Sequence, residues 1–341
     1  MAVSVTVPGT VYNTQTAAGA HAMMVAIRDG MDDVGLTPAS FTGAYDPDGA
    51  DTQMSTTLDA QSAWMAFNFT DSDQSAHPIT VWFGFIRKQA HTNNVLGFLP
   101  CFRISEGVDG SGNPLGRYVE NIPSSVNYVN NQTADSYQLK LRSSSGDFFR
   151  YTGDSLTVIF GALGFYTTFD SHTSGDAASV FELHIERMRS AVDGTTQDGF
   201  VGLAQPCRQA PSTHFASLLP TGTNCLYRAY IPSTPLCFIN INNLTAPAGA
   251  GHQFRAGGIV GESDYSTPVV APIYYRDASG RLNTLQRLFT LPRASLTNLT
   301  TISLDFSGAE EAYLTYWSGA SVGYTGVSEQ LSPVALLIEW E

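Results

Sequence analysis

The chain of 341 residues is short of charge: Asp, Glu, Lys and Arg make up 14% of it, against about 25% in ordinary soluble domains. Lysine is almost absent. The 17 basic residues are 15 Arg and only Lys88 and Lys140. With glutamate also sparse, the side chains that best cover a helix surface are missing, which argues against a mostly helical fold. The polar surface must come from Ser, Thr, Asn, Gln and Gly. Apolar residues reach 43%, enough for a core and contrary to the composition of disordered chains. A net charge of −13 disfavours broad contact with phosphates, so no direct nucleic-acid contact is expected, although local Arg patches stay open.

Long hydrophobic runs are lacking too. The longest, residues 156–166 (LTVIFGALGFY), has 11 positions, whereas a helix crossing a bilayer needs about 20. No membrane association is expected. The opening MAVSVTVPGT has neither the basic start nor the apolar stretch of a secretory signal. Four cysteines, Cys101, Cys207, Cys225 and Cys237, form no C-x-x-C pair. They read as buried reduced thiols, with a Cys225–Cys237 bridge open only in an oxidising compartment.

What the sequence does contain is one helical stripe followed by many strands. Ala17, Ala20, Met24, Ile27, Met31 and Val34 recur at steps of three and four, one apolar face of a helix. Asn13 or Thr14 is the expected cap; Gly35 and Pro38 end the helix. The stripe suits either the chain's own sheet or a neighbouring subunit.

From residue 60 onward the period becomes two. Expected strands are 63–70, 79–88, 98–105, 137–142, 148–151, 156–163 and 180–189, then 215–219, 225–230, 236–241, 269–276, 281–291, 301–306, 312–317 and 334–340. The links SSSGD and TGD are expected to join three of these (137–142, 148–151 and 156–163) as a meander, and DGTTQDG to tip a hairpin. Strands without intervening helices give a mostly β fold: antiparallel β-sandwich or jelly-roll-like domains with one N-terminal α-helix. The expected division is an N-terminal segment at 1–60, a β-sandwich at 61–205 and a second β-rich domain at 206–341, with the boundary in QPCRQAPST.

The sequence names no catalytic residue, cofactor or metal ligand. Gly319-Ala320-Ser321-Val322-Gly323 matches a nucleophile elbow in letters, but no His follows His252 and no helix follows the serine. Glu182, His184 and Glu186 alternate along one strand and read as an exposed charged face. Glu310-Glu311 reads as a solvated loop. Asp46 to Asp51 has the acid density of a calcium loop without an EF-hand's spacing. Asp109 to Asn113 is a turn, since it fits neither phosphate-loop fingerprint. Sequons at Asn68, Asn131, Asn243 and Asn298 read as coincidence.

Arg276, Arg281, Arg287 and Arg293 concentrate four cations near a single acid, Asp277. Arginine keeps its multi-donor contacts on partial burial, so this stretch, together with Met24, Ile27 and Met31, is the expected subunit interface.

Several passages resemble β-rich structural proteins from the necks, tails and baseplates of tailed bacteriophages. They are the helix ending in DVGLT, WMAFNFTDSD leading into PITVWFGF, the GVDGSGNPLG turn and FELHIERMRSAVDGTTQDGF, with YYRDASGRL beyond Gln205. The likeness spans residues 11–200. It implies a non-enzymatic virion component, assembled in the host cytoplasm, whose partners are copies of itself and other virion proteins. The alternative is a receptor- or carbohydrate-binding β-sandwich in which Trp82, Trp317 or Tyr324 stacks on sugars. A polysaccharide-cleaving enzyme would need a carboxylate pair that the sequence does not name.

Overall fold

A computed structural model describes residues 3–7, 11–13, 16–89, 96–116, 118–121, 140–142, 147–160, 165–166, 177–178, 181–190, 193–205, 226–229, 237–240, 255–256, 271–276, 282–292, 301–305, 310–316 and 334–339. The chain opens with β1 (Val3–Val7), β2 (Val11–Asn13), α1 (Ala17–Asp33), β3 (Thr37–Pro38), β4 (Met65–Asn68), β5 (Thr80–Gln89), β6 (Leu96–Ser105) and β7 (Tyr118–Asn121). Next come β8 (Lys140–Arg142), β9 (Asp147–Tyr151), β10 (Ser155–Phe160), β11 (Phe165–Tyr166), β12 (Ala177–Ala178), β13 (Phe181–Arg189) and β14 (Thr196–Gln205). The last part holds β15 (Leu226–Ala229), β16 (Cys237–Asn240), β17 (Arg255–Ala256), β18 (Ala271–Arg276), β19 (Leu282–Pro292), β20 (Thr301–Asp305), β21 (Glu310–Tyr316) and β22 (Val334–Glu339). The described pairings are antiparallel, so the fold is mostly β with one N-terminal helix.

Helix α1 starts at Ala17, the first residue of the apolar stripe, and ends at Asp33, one residue before the last. Its cap is Thr16, not Asn13 or Thr14: the Thr16 Oγ1 accepts from the Gly19 amide at 3.0 Å, satisfying a backbone donor that the first turn leaves over. At the other end Gly35 has φ +91°, the left-handed conformation that glycine adopts without a β-carbon clash. The Gly35 amide donates to Asp32 and the Leu36 amide to Met31, which closes the last carbonyls. Ala20, Met23, Met24, Ile27 and Met31 are buried. Gly30 lies flat against Phe149 of β9, where a β-carbon would overlap the ring.

Two five-stranded sheets, β1-β9-β10-β13-β14 and β3-β4-β5-β6-β7, share the core with this helix. One contributes Phe149, Tyr151, Leu156, Val158, Leu183 and Ile185; the other contributes Phe67, Val81, Phe83, Phe85, Phe102 and Ile104. These positions alternate along their strands, as a half-buried sheet requires. Helix α1 is built into that core and β1 into the first of those sheets, so both pack with strands drawn from residues 61–205.

The TGD link does form the β9–β10 hairpin, but β8 pairs with β2 instead of extending the meander. The place beside β9 goes to β1, whose VSVTV register runs from Val3–Tyr151 to Val7–Asp147; its β-branched residues favour the extended backbone of a strand. Pro100 sits inside β6, yet β7 pairs only with residues Phe102 to Ser105. The missing amide therefore falls where the strand has one described neighbour. Past Gln205, a six-stranded sheet runs β17-β18-β19-β22-β21-β20, and no described strand in it pairs with one before Gln205.

Candidate functional site

The residues expected at a subunit interface separate into two groups. Met24, Ile27 and Met31 are at most 1% exposed and belong to the chain's own core. A side chain enclosed by its own sheets is not available to a second subunit, so these three are corrected to intramolecular packing. Arg276 ends β18 opposite Leu282, and Arg287 lies within β19. Arg281 and Arg293 lie outside the described residues.

The face of the β1-β9-β10-β13-β14 sheet turned away from α1 holds a polar row. Register places Arg150, Thr157 and His184 side by side on β9, β10 and β13, with Ser155 and Glu186 one row further. The Thr157 hydroxyl meets His184 Nδ1 at 2.7 Å, and His184 Nε2 meets Glu186 Oε1 at 2.9 Å. The expected exposed charged face is thus overturned: His184 is 2% and Glu186 4% exposed. Burial on both sides of the sheet explains this, since polar groups withdrawn from water must find partners within the protein.

Hydroxyl, imidazole and carboxylate stand here in the order of a hydrolase triad. With Thr157 at 1% exposure, however, no substrate carbonyl can reach its oxygen in this arrangement, and attack requires that approach. The trio holds β10 to β13.

Arg187 lies at the rim where the two sheets meet. Its parity along β13 is that of Leu183 and Ile185, a core direction, so the cation enters the interior and must be matched there. Its Nε and Nη2 donate to the two carboxylate oxygens of Asp71 at 2.5 Å, and Nη2 also donates to Gln74 Oε1 at 2.9 Å. The His77 carbonyl accepts from Nη1, and the guanidinium lies over Phe69. Nearby, the Tyr151 hydroxyl accepts from the Thr70 amide and donates to the Gly153 carbonyl. Burial pushes the Tyr151 phenol up from its ordinary pKa. Together these contacts tie the β4–β5 loop to the opposite sheet.

The outer face of the β3–β7 sheet carries a cluster of rings around one cation. Trp82, Arg103 and Glu120 form a cross-strand row. The Arg103 guanidinium carbon lies 4.7 Å from the Trp64 ring centre, 5.3 Å from Trp82 and 5.6 Å from Tyr118. Its Nε and Nη2 both donate to Glu120 Oε2, at 3.1 and 2.7 Å. Trp82 is fully buried and donates through Nε1 to Ser105 Oγ. It cannot present a face to a sugar, which corrects the expectation placed on it; Trp317 and Tyr324 lie outside the described residues.

The acidic loops are closed by their own hydrogen bonds. Asp46 Oδ1 accepts from the Asp48 amide, while Gln53 bridges back to Asp46. Asp109 takes the amides of Ser111 and Asn113 and the Asn113 side chain. Asp193 takes the Thr195 amide and hydroxyl at the expected hairpin tip. Among the described residues no group of three or more His, Cys, Asp or Glu is placed to hold a metal. Tyr45, whose hydroxyl meets His21 Nδ1, is pushed up to about 12, first by burial and then by the charges of Asp51 and Asp46.

Glu310 and Glu311, expected in a loop, open β21 opposite Asp305 and Leu304. Asn68 is half-buried in β4, its Oδ1 accepting from Thr80. Cys101 is buried in β6. The 319–323 motif, Cys207, Cys225, Asn131, Asn243, Asn298 and residues 215–219 lie outside the described residues. Arg187 and Arg103 escaped notice in the sequence, although an arginine at core parity in FELHIERMR was a usable signal. The chain matches no protein family, no curated protein and no solved structure.

Proposed function

We propose that the chain is a structural, non-enzymatic component of a tailed-phage particle, forming homo-oligomeric assemblies in the neck, tail or baseplate. The disposition of charge carries this reading. Residues 1–205 contain 21 acidic and 10 basic residues, a net −11, whereas residues 206–341 contain 9 and 7, a net −2.

Within the first part the described arginine side chains find partners in the chain itself. Arg187 pairs with Asp71, Arg103 with Glu120, Arg28 with Asp29 and Asp48, and Arg189 with Asp154; Arg150 is buried. The acidic excess of the first part, 21 acids to 10 bases, exceeds what these cations can match. Arg276 and Arg287 stand on the far part of the chain, where Arg281 and Arg293 add to them in sequence. An acidic surface on one part and a cationic stretch on the other favour head-to-tail contact between copies, the kind of interface that closes into rings. The low overall charge further reduces the desolvation cost of burying large contact areas.

The test is sedimentation of the purified chain at low and high salt, beside the Arg276→Glu/Arg287→Glu variant. The expected result is a defined multimer in the wild type that is weakened by salt and lost in the variant. A wild-type chain that stays monomeric at high concentration, or a variant that assembles unchanged, contradicts the reading.

A further inference from the structure

We propose that the outer face of the β3–β7 sheet binds a neutral saccharide through Tyr118, Arg103, Glu120 and Trp64. This goes beyond the assembly reading and does not depend on it. Most large apolar side chains described are enclosed; the exposed ones are Leu58, Leu115 and Tyr118. Two of these, Leu115 and Tyr118, adjoin or begin the last strand of this sheet.

Tyr118 and Glu120 are two residues apart on β7 and so share a face. They stand opposite Ser105 and Arg103 in register. The Tyr118 ring, 49% exposed, therefore lies beside an arginine–carboxylate pair, with the guanidinium carbon 5.6 Å from its centre.

An exposed ring accepts the C–H face of a pyranose, and an adjacent guanidinium and carboxylate offer planar donors and acceptors to neighbouring hydroxyls. The pair is neutral as a whole and its more exposed member is the carboxylate, 33% for Glu120 against 12% for Arg103, so an acidic sugar or phosphate gains nothing there and the matching ligand is neutral. The exposed apolar surface is one ring and one leucine. A protein partner ordinarily covers about 800 Å² on each side, whereas this scale suits one or two sugar rings.

The platform is also preorganised, which lowers the entropic cost of binding. Its floor is Trp82, fixed through Ser105 Oγ, which in turn donates to the Gly107 carbonyl. Gly84 lets Trp64 lie on the sheet: a β-carbon there would stand 2.9 Å from the indole.

The experiment is a titration of the full chain on an array of neutral and acidic bacterial glycans, comparing wild type, Tyr118→Ala and Leu58→Ala. Tyr118 is half in solvent, so its truncation leaves the fold intact, which a thermal melt checks. The expected result is binding to neutral glycans that weakens at least tenfold in Tyr118→Ala and is unchanged in Leu58→Ala, with a shift in tryptophan fluorescence on binding. Binding to no neutral glycan, binding to acidic glycans alone, or equal binding by Tyr118→Ala overturns the proposal. Sedimentation of the same samples separates that failure from a failure of assembly.

Discussion

Arg187 is a guanidinium enclosed at the junction of two sheets, and its partner Asp71 comes from the loop between β4 and β5. Removing one member of such a pair leaves the other buried without its counter-charge. Asp71→Ala is expected to lower the unfolding free energy by about 3 kcal/mol, the low end for a broken buried pair because Gln74 and the His77 carbonyl remain. Adding Arg187→Met should recover part of that loss, measured by urea unfolding of the single and double variants.

Acid acts on different residues. The Thr196 hydroxyl holds the Asp73 carboxyl below its ordinary range, the Asn113 side chain does so for Asp109, and the Ser190 side chain for Asp193. A carboxylate lowered in the folded state binds fewer protons than in the unfolded chain. Its contribution is complete above the unfolded pKa and is lost as pH falls through the folded one, below about pH 4. Asp109→Asn should therefore flatten the acid limb of a urea-midpoint profile while leaving neutral pH dependence unaltered. At this scale little was legible beforehand. Residue parity along a strand tells which side a side chain takes, but His184 and Glu186 looked exposed because sequence does not reveal that the second face of a sheet is also covered.

Helix α1 was the most legible element, because a stripe repeating at three and four from Ala17 to Val34 has one interpretation. Its cap was misplaced by two or three positions, since Asn13, Thr14 and Thr16 are chemically equivalent and only the Gly19 contact selects among them. The close approach of Gly30 to Phe149 was invisible in sequence, being made by a strand more than a hundred residues away.

Two effects oppose each other at Gly30. Alanine gains about 1 kcal/mol of helix propensity, but a β-carbon forces the Phe149 ring or the helix to move, costing about 1–3 kcal/mol. The overlap is with a buried core ring, so packing wins: Gly30→Ala should lower thermal stability, whereas a rise in Tm would place the helix further from β9. Among strands, the expected runs from residue 63 onward that fall on described residues match strands to within a few residues, whereas β7 and β14 were not expected. VSVTV was passed over although it is β-branched at alternate positions and Pro8-Gly9 directly after it is a turn signal.

For the whole molecule, the mostly antiparallel β architecture followed from composition and periodicity, while the pairing order did not. Nothing local tells β8 to join β2, or β1 to occupy the edge beside β9; those choices depend on which distant strands the shared core brings together. Likewise the scarcity of charge acquired meaning only with coordinates. The described arginines of the first part pair within the chain, and the proposed assembly has the acidic excess of that part meet the Arg276 to Arg293 stretch. The central claim is that this chain is a multicopy component of a phage particle. Cryo-EM of intact particles produced with the chain tests it most directly. The account predicts symmetric density in the neck, tail or baseplate that the two-sheet fold and its buried helix fit, repeated in several copies; purified infectious particles that lack the chain would contradict it.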